Sequence, residues 1–432
     1  DKVAELNRHV LEQRPQEYLA YTENYWNAWV NKNAIDFDDL SDEVVAQYKR
    51  SLLIVQTQID ADGAILAAND SDVTERATDH YSYLWTRDGA FVANALDLAG
   101  YAYLSRKFFE FCGRIVHKDG YFLQKYNPDG TVASGWHSAW DLVNKQRLIP
   151  IQEDETALVL WALWQHYDKY RDIEFAHDLY GRLIAPCGDF MAAFRDPKTG
   201  LPSPSWNLWE DRKGVHTFTC SAVVAGLRAA ANFAELFADY ERTARYRIAA
   251  DGITAAMTTH LYSSEHGRFL RSLQFQDGGL EPDPTIDASL FATFYLGCFD
   301  VNDEKVVSTM RAIEEKLAVG GGIARFENDG YMRSSADSPP NVWFICTLWL
   351  ADYYIAKAIT TAELSKALTI LKWTTEKALP SGVLAEQFDP ATGVHVSVSP
   401  LTWSHSTFVS TVQTYLAKAE EMRGSHGRKS AP

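Results

Sequence analysis

The residues of this sequence whose types and spacing could do chemistry are carboxylates set among indoles. Glu210 lies in Ser205-Trp206-Asn207-Leu208-Trp209-Glu210-Asp211-Arg212. Partial desolvation by the two indoles favours its protonated form, and Arg212 pulls the other way. Glu386 lies in Gly382-Val383-Leu384-Ala385-Glu386-Gln387-Phe388-Asp389, with Pro400-Leu401-Thr402-Trp403-Ser404-His405 following. Trp85-Thr86-Arg87-Asp88 opens a helix, where Asp88 could serve the free N–H groups of the first turn. Alternatively, Arg87 and Asp88 could form a polar clamp for sugar hydroxyls above the apolar face of Trp85. Hydrolysis of a glycosidic bond needs such a combination: an acid for the leaving oxygen and a second carboxylate to activate water or attack carbon. Aromatic faces carry the sugar rings and charged groups orient them. Taken singly, each segment reads equally as an ordinary loop. Chemistry alone does not pick Glu210 and Glu386 out of 57 acidic residues.

Other chemistries leave no trace. There is no GxSxG elbow, GxxxxGK[ST] loop, HExxH pair or GxGxxG turn, and Gly320-Gly321-Gly322 is a turn signal only. The 12 histidines show no pair at metal-ligand spacing in a convincing context, so neither cofactor nor metal is expected. A net charge of −16, from 41 basic and 57 acidic residues, opposes phosphate backbones and anionic lipid. The expected partner is therefore a neutral molecule such as a sugar, with no nucleic acid and no membrane. No apolar run approaches the roughly 18 residues of a membrane span, and Asp1 to Val10 lacks a signal pattern. Five scattered cysteines without a CxxC pair argue against a disulfide framework. A reducing, cytoplasmic location is expected over secretion. Asn69-Asp70-Ser71 matches the glycosylation triplet, which arises easily by chance.

Elements that could position these residues are helical. Apolar and aromatic residues recur every three to four positions near 3–30, 42–58, 89–115, 153–171, 174–195, 217–238, 241–260, 285–299, 303–317, 341–358, 362–376 and 403–421. Such a pattern predicts helices packed on both sides, with no comparable series of strands. Segments rich in Gly, Pro, Asp and Trp lie between them, at 120–150, 197–215, 269–284, 319–340 and 380–401. Loops that long are uncommon unless functional. If all emerged at one end of a helical barrel they would wall an aromatic pocket. No linker interrupts the series, so residues 1–432 read as one domain, with a helix over 1–33 and a flexible polar tail over 423–432.

At these residues the sequence resembles glycoside hydrolase family 15, the glucoamylases, glucodextranases and isomaltose-hydrolysing relatives, from about Trp26 to about Leu416. Tyr81 to Asp88 (YSYLWTRD), Pro150 to Leu158 (PIQEDETAL), Leu208 to Gly214 (LWEDRKG), Ala324 to Tyr331 (ARFENDGY), Asn341 to Leu348 (NVWFICTL), Leu384 to Gln387 (LAEQ) and Pro400 to His405 (PLTWSH) follow the family's order. The resemblance implies an all-α (α/α)6 barrel whose long loops form the active-site pocket. It also implies an inverting hydrolase that releases glucose from the ends of α-linked gluco-oligosaccharides. Carried over by position, Glu210 becomes the general acid and Glu386 the base. Leu208 helps hold the attacking water through its carbonyl, and Tyr81 sits beside Glu386. Arg87 and Asp88 bind the terminal glucose, Trp85, Trp209, Trp343 and Trp403 line the pocket, and Arg325 reaches the sugar near the scissile bond. Two positions depart from the pattern. Asp211, in a position that contacts the leaving sugar, stands where many members carry Glu, and Leu148 falls where fungal members place a tryptophan. Linkage therefore stays open between α-1,4, α-1,6 and trehalose. Asp1 to Asn33 resembles the helix that follows an N-terminal β-sandwich in prokaryotic members, and the chain reads as a member without that sandwich. A sugar epimerase on the same barrel would need a central histidine cluster, which is lacking. A non-catalytic carbohydrate-binding relative would have lost one of the two glutamates, and both are present.

Overall fold

The structure is a computed structural model and describes residues 2–69, 80–135, 137–141, 145–276 and 279–429. Its helices in chain order are α1 Lys2–Glu12, α2 Pro15–Val30, α3 Asp42–Thr57, α4 Thr86–Leu98, α5 Ala102–Ile115, α6 Glu153–Tyr170, α7 Ile173–Leu179, α8 Ala185–Ala193, α9 Thr217–Leu236, α10 Tyr240–His260, α11 Ala292–Tyr295, α12 Glu304–Leu317, α13 Phe344–Lys357, α14 Thr361–Lys377 and α15 Thr402–Lys429. A π-turn, Tyr180–Ile184, joins α7 to α8, and a 3-10 turn, Ala288–Phe291, leads into α11.

Packing sorts these helices into two rings. α4 packs on α6, α6 on α9, α9 on α11, the 3-10 turn before α11 on α13, α13 on α15, and α15 back on α4, which closes an inner ring of six. Around it lie α3, α5, the α7–α8 pair, α10, α12 and α14, each against an inner neighbour. The burial of side chains follows this division. Inner α4 and α9 are buried almost all round, whereas outer α12 buries a single stripe of Val306, Thr309, Met310, Ile313 and Leu317. One apolar core extends from Trp29 to Ala419, and all five cysteines are free and buried in the chain. This double ring is the (α/α)6 barrel anticipated from the sequence. No helix among the described residues is long and apolar enough to cross a membrane.

Connections alternate in length, and that alternation builds the site. Passing from an inner to an outer helix takes a few residues, as at 99–101, 171–172, 237–239 and 358–360. Passing from outer to inner takes the long segments 58–85, 116–152, 194–216, 261–287, 318–343 and 378–401. The long segments therefore all precede inner-helix N-termini and gather at one end of the barrel.

Several sequence expectations need correction. The helix expected over 3–30 breaks at Pro15, which lacks an N–H and holds Arg14 extended at ψ 143°, so two helices form. The helix expected over 89–115 ends at Gly100, whose φ of +87° closes a Schellman turn: Tyr101 N donates to Leu96 O at 2.8 Å and Gly100 N to Asp97 O at 3.0 Å. The tail expected from Arg423 is helical through Lys429, as the continuation of α15. Strands do occur among the described residues, the largest set being a four-stranded antiparallel sheet of Ser205–Trp206, Lys213–His216, Ser272–Gln276 and Gly279–Asp283. Asn69 is described, whereas Asp70 and Ser71 of its triplet lie outside the described residues.

The inner ring depends on close approach of its backbones. A Cβ on Gly226 of α9 would stand 2.7 Å from Ala157 O and 2.9 Å from Ala157 Cα of α6. Backbone cannot rotate away as a side chain can. We expect Gly226→Ala to destabilise the barrel by about 1–3 kcal/mol through overpacking, read as a lower urea midpoint at unchanged m-value.

Candidate active site

The gathered loops enclose a cavity of about 510 Å³. All twelve residues singled out from the sequence line it: Tyr81, Trp85, Arg87, Asp88, Leu208, Trp209, Glu210, Asp211, Arg325, Trp343, Glu386 and Trp403. Ala67, His80, Tyr331, Met332 and Leu401 also line it and were not singled out. Tyr331 and Leu401 belong to the segments ARFENDGY and PLTWSH, so position could have found them. Ala67, His80 and Met332 carry no sequence signal of a site. Leu148 is not on the cavity wall; its N–H pairs with Ala139 O at 2.9 Å within the 116–152 segment.

Glu210 sits at the tip of a hairpin. Strand Ser205–Trp206 pairs with Lys213–His216, with Trp206 opposite Lys213. Asn207 ties the connecting turn. Its Oδ1 accepts from Asp211 N at 3.1 Å and Arg212 N at 3.3 Å, its Nδ2 donates to Asp211 Oδ1 at 2.6 Å, and its carbonyl accepts from Glu210 N at 3.0 Å. Glu210 holds φ +63°, left-handed backbone that costs a non-glycine residue energy and persists where the surroundings enforce it. Its Oε1 receives two hydrogen bonds, from Trp85 Nε1 at 2.6 Å and Gln152 Nε2 at 2.7 Å. The Gln152 amide is oriented by its other end, where Oε1 accepts from Arg87 Nη1. Both donors engage the same oxygen, so a proton on this carboxyl belongs on Oε2.

Glu386 occupies a different wall. The strand after it, Gln387–Phe388, lies between Val342–Trp343 and His395–Val396, and Glu386 N donates to Val398 O at 2.9 Å. The first turn of α15 grips the same segment: Ser404 Oγ donates to Ala385 O at 2.8 Å, and Leu384 N donates to His405 Nε2 at 3.0 Å. Because Nε2 accepts, His405 carries its proton on Nδ1, 2.9 Å from Ser51 Oγ. Burial lowers its pKa to about 3 and keeps it neutral. Glu386 is itself buried, with Gln387 Nε2 donating to its Oε2 at 3.0 Å. Desolvation raises its pKa above the usual glutamate value, opposed by the Ser397 hydroxyl, the Gln387 amide, the Arg325 charge and the Tyr81 phenol. The Tyr81 hydroxyl lies 3.2 Å from that of Tyr331, and burial, the nearby Glu386 charge and Tyr331 push its pKa far up.

The remaining walls are held by buried ion pairs. The Arg87 guanidinium meets Asp88 at 3.3 Å, Asp154 at 3.0 Å and Glu155 at 3.3 Å. Burial raises Asp88 to about 6 against the pull of Arg87. Arg325 is paired with Asp329 through two 2.8 Å bonds and lies over the rings of Trp209, Phe326, Tyr331 and Trp343 at 4.7–5.3 Å. Trp209 is fixed by Asp287, whose two oxygens accept from Nε1 at 3.2 and 3.0 Å while Arg271 Nε stands 2.9 Å away. Asp211 is turned into this cluster, 3.1 Å from Arg212 and 3.6 Å from Arg271. Four buried polar atoms on cavity-lining residues make no hydrogen bond among the described residues: Arg87 Nε, Asp88 Oδ2, Trp343 Nε1 and Trp403 Nε1. Among the described residues no group of three His, Cys, Asp or Glu could hold a metal ion.

Known proteins share this architecture. The chain is 28% identical over 400 residues to an uncharacterised glycosyl hydrolase of Methanocaldococcus jannaschii, covering 89% of this chain and 59% of the relative. It is 26% identical over 439 residues to a glucoamylase of Clostridium sp. strain G0005, covering 92% and 57%. It thus spans less than two thirds of either relative's length. A crystal structure of a bacterial glucoamylase complexed with acarbose superposes with a TM-score of 0.75 at 22% identity, covering 96% of this chain and 61% of the other. The profile of the glycosyl hydrolases family 15 matches residues 44–413, from the first turn of α3 well into α15 and so across both rings of the barrel, and the chain belongs to that family.

Proposed function

We propose that the protein is an exo-acting, inverting α-glucoside hydrolase that releases β-glucose from the non-reducing ends of α-1,4- and/or α-1,6-linked gluco-oligosaccharides. One observation carries this reading: Glu210 and Glu386 line the same cavity from different loops, each carboxyl held in place by its own neighbours. Glu210, with Oε1 occupied by two N–H donors, delivers the proton on Oε2 to the leaving oxygen. Glu386 takes a proton from water, and the Leu208 carbonyl helps hold that water. Inversion needs roughly 6.5–9.5 Å between the carboxyls to admit it. Arg87 and Asp88, on the first turn of α4, bind hydroxyls of the terminal glucose in the deepest part of the pocket. Asp88 Oδ2, which has an ion-pair approach to Arg87 but no hydrogen bond, and the indole N–H groups of Trp343 and Trp403 are the kind of buried polar atoms that sugar hydroxyls satisfy. A pocket walled by helix ends and tryptophans admits a chain end and limits each event to one unit.

The stereochemistry tests the mechanism. Proton NMR of fresh digests is expected to show β-glucose first, with the α-anomer appearing only by mutarotation; initial α-glucose overturns inversion. Relative kcat/KM for maltose, isomaltose, trehalose and longer maltooligosaccharides then assigns the linkage, which Asp211 at the leaving-sugar wall leaves open.

A further inference from the structure

The clamp assigned to the terminal sugar has more acid than base. Asp88, Asp154 and Glu155 surround one guanidinium, that of Arg87, at 3.3, 3.0 and 3.3 Å, and all four residues are buried. With every carboxyl ionised the set carries a net charge of −2; with one proton retained it carries −1. Burying an uncompensated charge costs several kcal/mol, and a carboxyl in such a place keeps its proton instead. Among the described residues no other cation pairs with the three: Asp154 Oδ1 accepts from the Thr219 hydroxyl at 3.3 Å, and Glu155 Oε2 from the Thr86 hydroxyl at 2.7 Å and Arg87 N at 2.5 Å. Asp88 Oδ2 and Glu155 Oε1 stand 3.3 Å from Arg87 nitrogens and make no hydrogen bond.

We propose that Asp88, Asp154 and Glu155 share one proton at neutral pH, and that Glu155 is the positioning residue of the clamp, fixing the first turn of α4 while the shared proton leaves a single net negative charge facing the sugar. This deepens the reading of Arg87 and Asp88 as the terminal-sugar site, although the proton count stands whether or not that reading does. A further buried cation, Lys125, lies over the rings of Tyr83 and Trp85 at 4.2 and 5.3 Å. Glu153 beside Asp154 is buried without a partner and pushed far up, so it is neutral. Cys112 and Tyr126, which sense Glu155, are raised by burial and neutral. His137, which senses Arg87 and Lys125, is lowered to about 3 and neutral. Burial raises Glu155 to about 8, so the shared proton leaves to solvent near that pH.

The test counts charge on the native protein. Replacing an ionised Glu by Gln raises net charge by one, whereas Glu155→Gln only removes the need for the shared proton. At pH 7, Glu155→Gln is expected to co-migrate with the parent in free-solution electrophoresis, while Glu315→Gln on the exposed face of α12 shifts by one full charge. Above about pH 8 the Glu155→Gln protein and the parent should separate. If Glu155→Gln does not fold, Asp88→Asn serves, with an expected shift under half that of Glu315→Gln. A full one-charge shift at pH 7 for the folded variant overturns the proposal.

Discussion

Replacing Glu386 by Gln is expected to lower kcat by about 10²–10⁴-fold while sugar binding changes little. Gln fills the same space and can keep the contact with the Gln387 amide, so the change removes proton acceptance and little else. Glu210→Gln is expected to lose turnover on the same scale by another route, since its amide cannot release a proton to the leaving oxygen. A substrate whose leaving group needs no proton separates the two: on α-glucosyl fluoride Glu210→Gln should recover much of its rate and Glu386→Gln should not. Retention of more than a tenth of parental activity on oligosaccharides by either variant removes that residue from its role. The pH profile supplies an independent reading. A base must be ionised, and burial raises Glu386 above the ordinary glutamate range. Activity should therefore fall on acidification through a limb higher than an exposed glutamate would give, and that limb should vanish from the residual rate of Glu386→Gln.

How much of this was legible depends on whether the information is periodic. Most inner and outer helices repeat their apolar spacing over several turns, so the helical series and the long segments between its members could be read from pattern, whereas the barrel itself came from the family resemblance. The hairpin that presents Glu210 could not. Its strands are two and four residues long, and its turn is organised by Asn207 rather than by a glycine at the bend. The groups that aim the pocket residues were also hidden. Gln152 and Glu155 lie in PIQEDETAL, but only the folded chain brings them 58 and 68 positions along the sequence to Glu210 and Arg87. Asp287, which orients Trp209, stands in Pro284-Thr285-Ile286-Asp287, where nothing distinguishes it from a turn aspartate. His405 was visible as part of a motif, but not its grip on the backbone before Glu386. Residues that touch the cavity were found through resemblance, and residues that hold them were found only through contact.

Arg87→Met is expected to be the most damaging substitution for stability, at about 3–5 kcal/mol near neutral pH. Methionine approximates the aliphatic stem and leaves Asp88, Asp154 and Glu155 without their shared cation. The deficit is electrostatic, so it must depend on pH, and its sign can be worked out. Removing Arg87 raises the folded-state pKa values of the three carboxyls further above their unfolded values near 4. The folded variant then binds more protons than the unfolded chain, and its stability falls as pH rises through the window between the two sets. The gap between variant and parent should therefore be small near pH 4 and widen toward pH 8, measured as the difference in urea midpoints. Adding Glu155→Gln removes one of the stranded carboxyls and should return part of the loss at pH 8 while returning little at pH 4. Equal deficits at both pH values would mean that Arg87 stabilises the barrel through packing against Trp403, whose ring lies 5.8 Å from the guanidinium, and not through its charge.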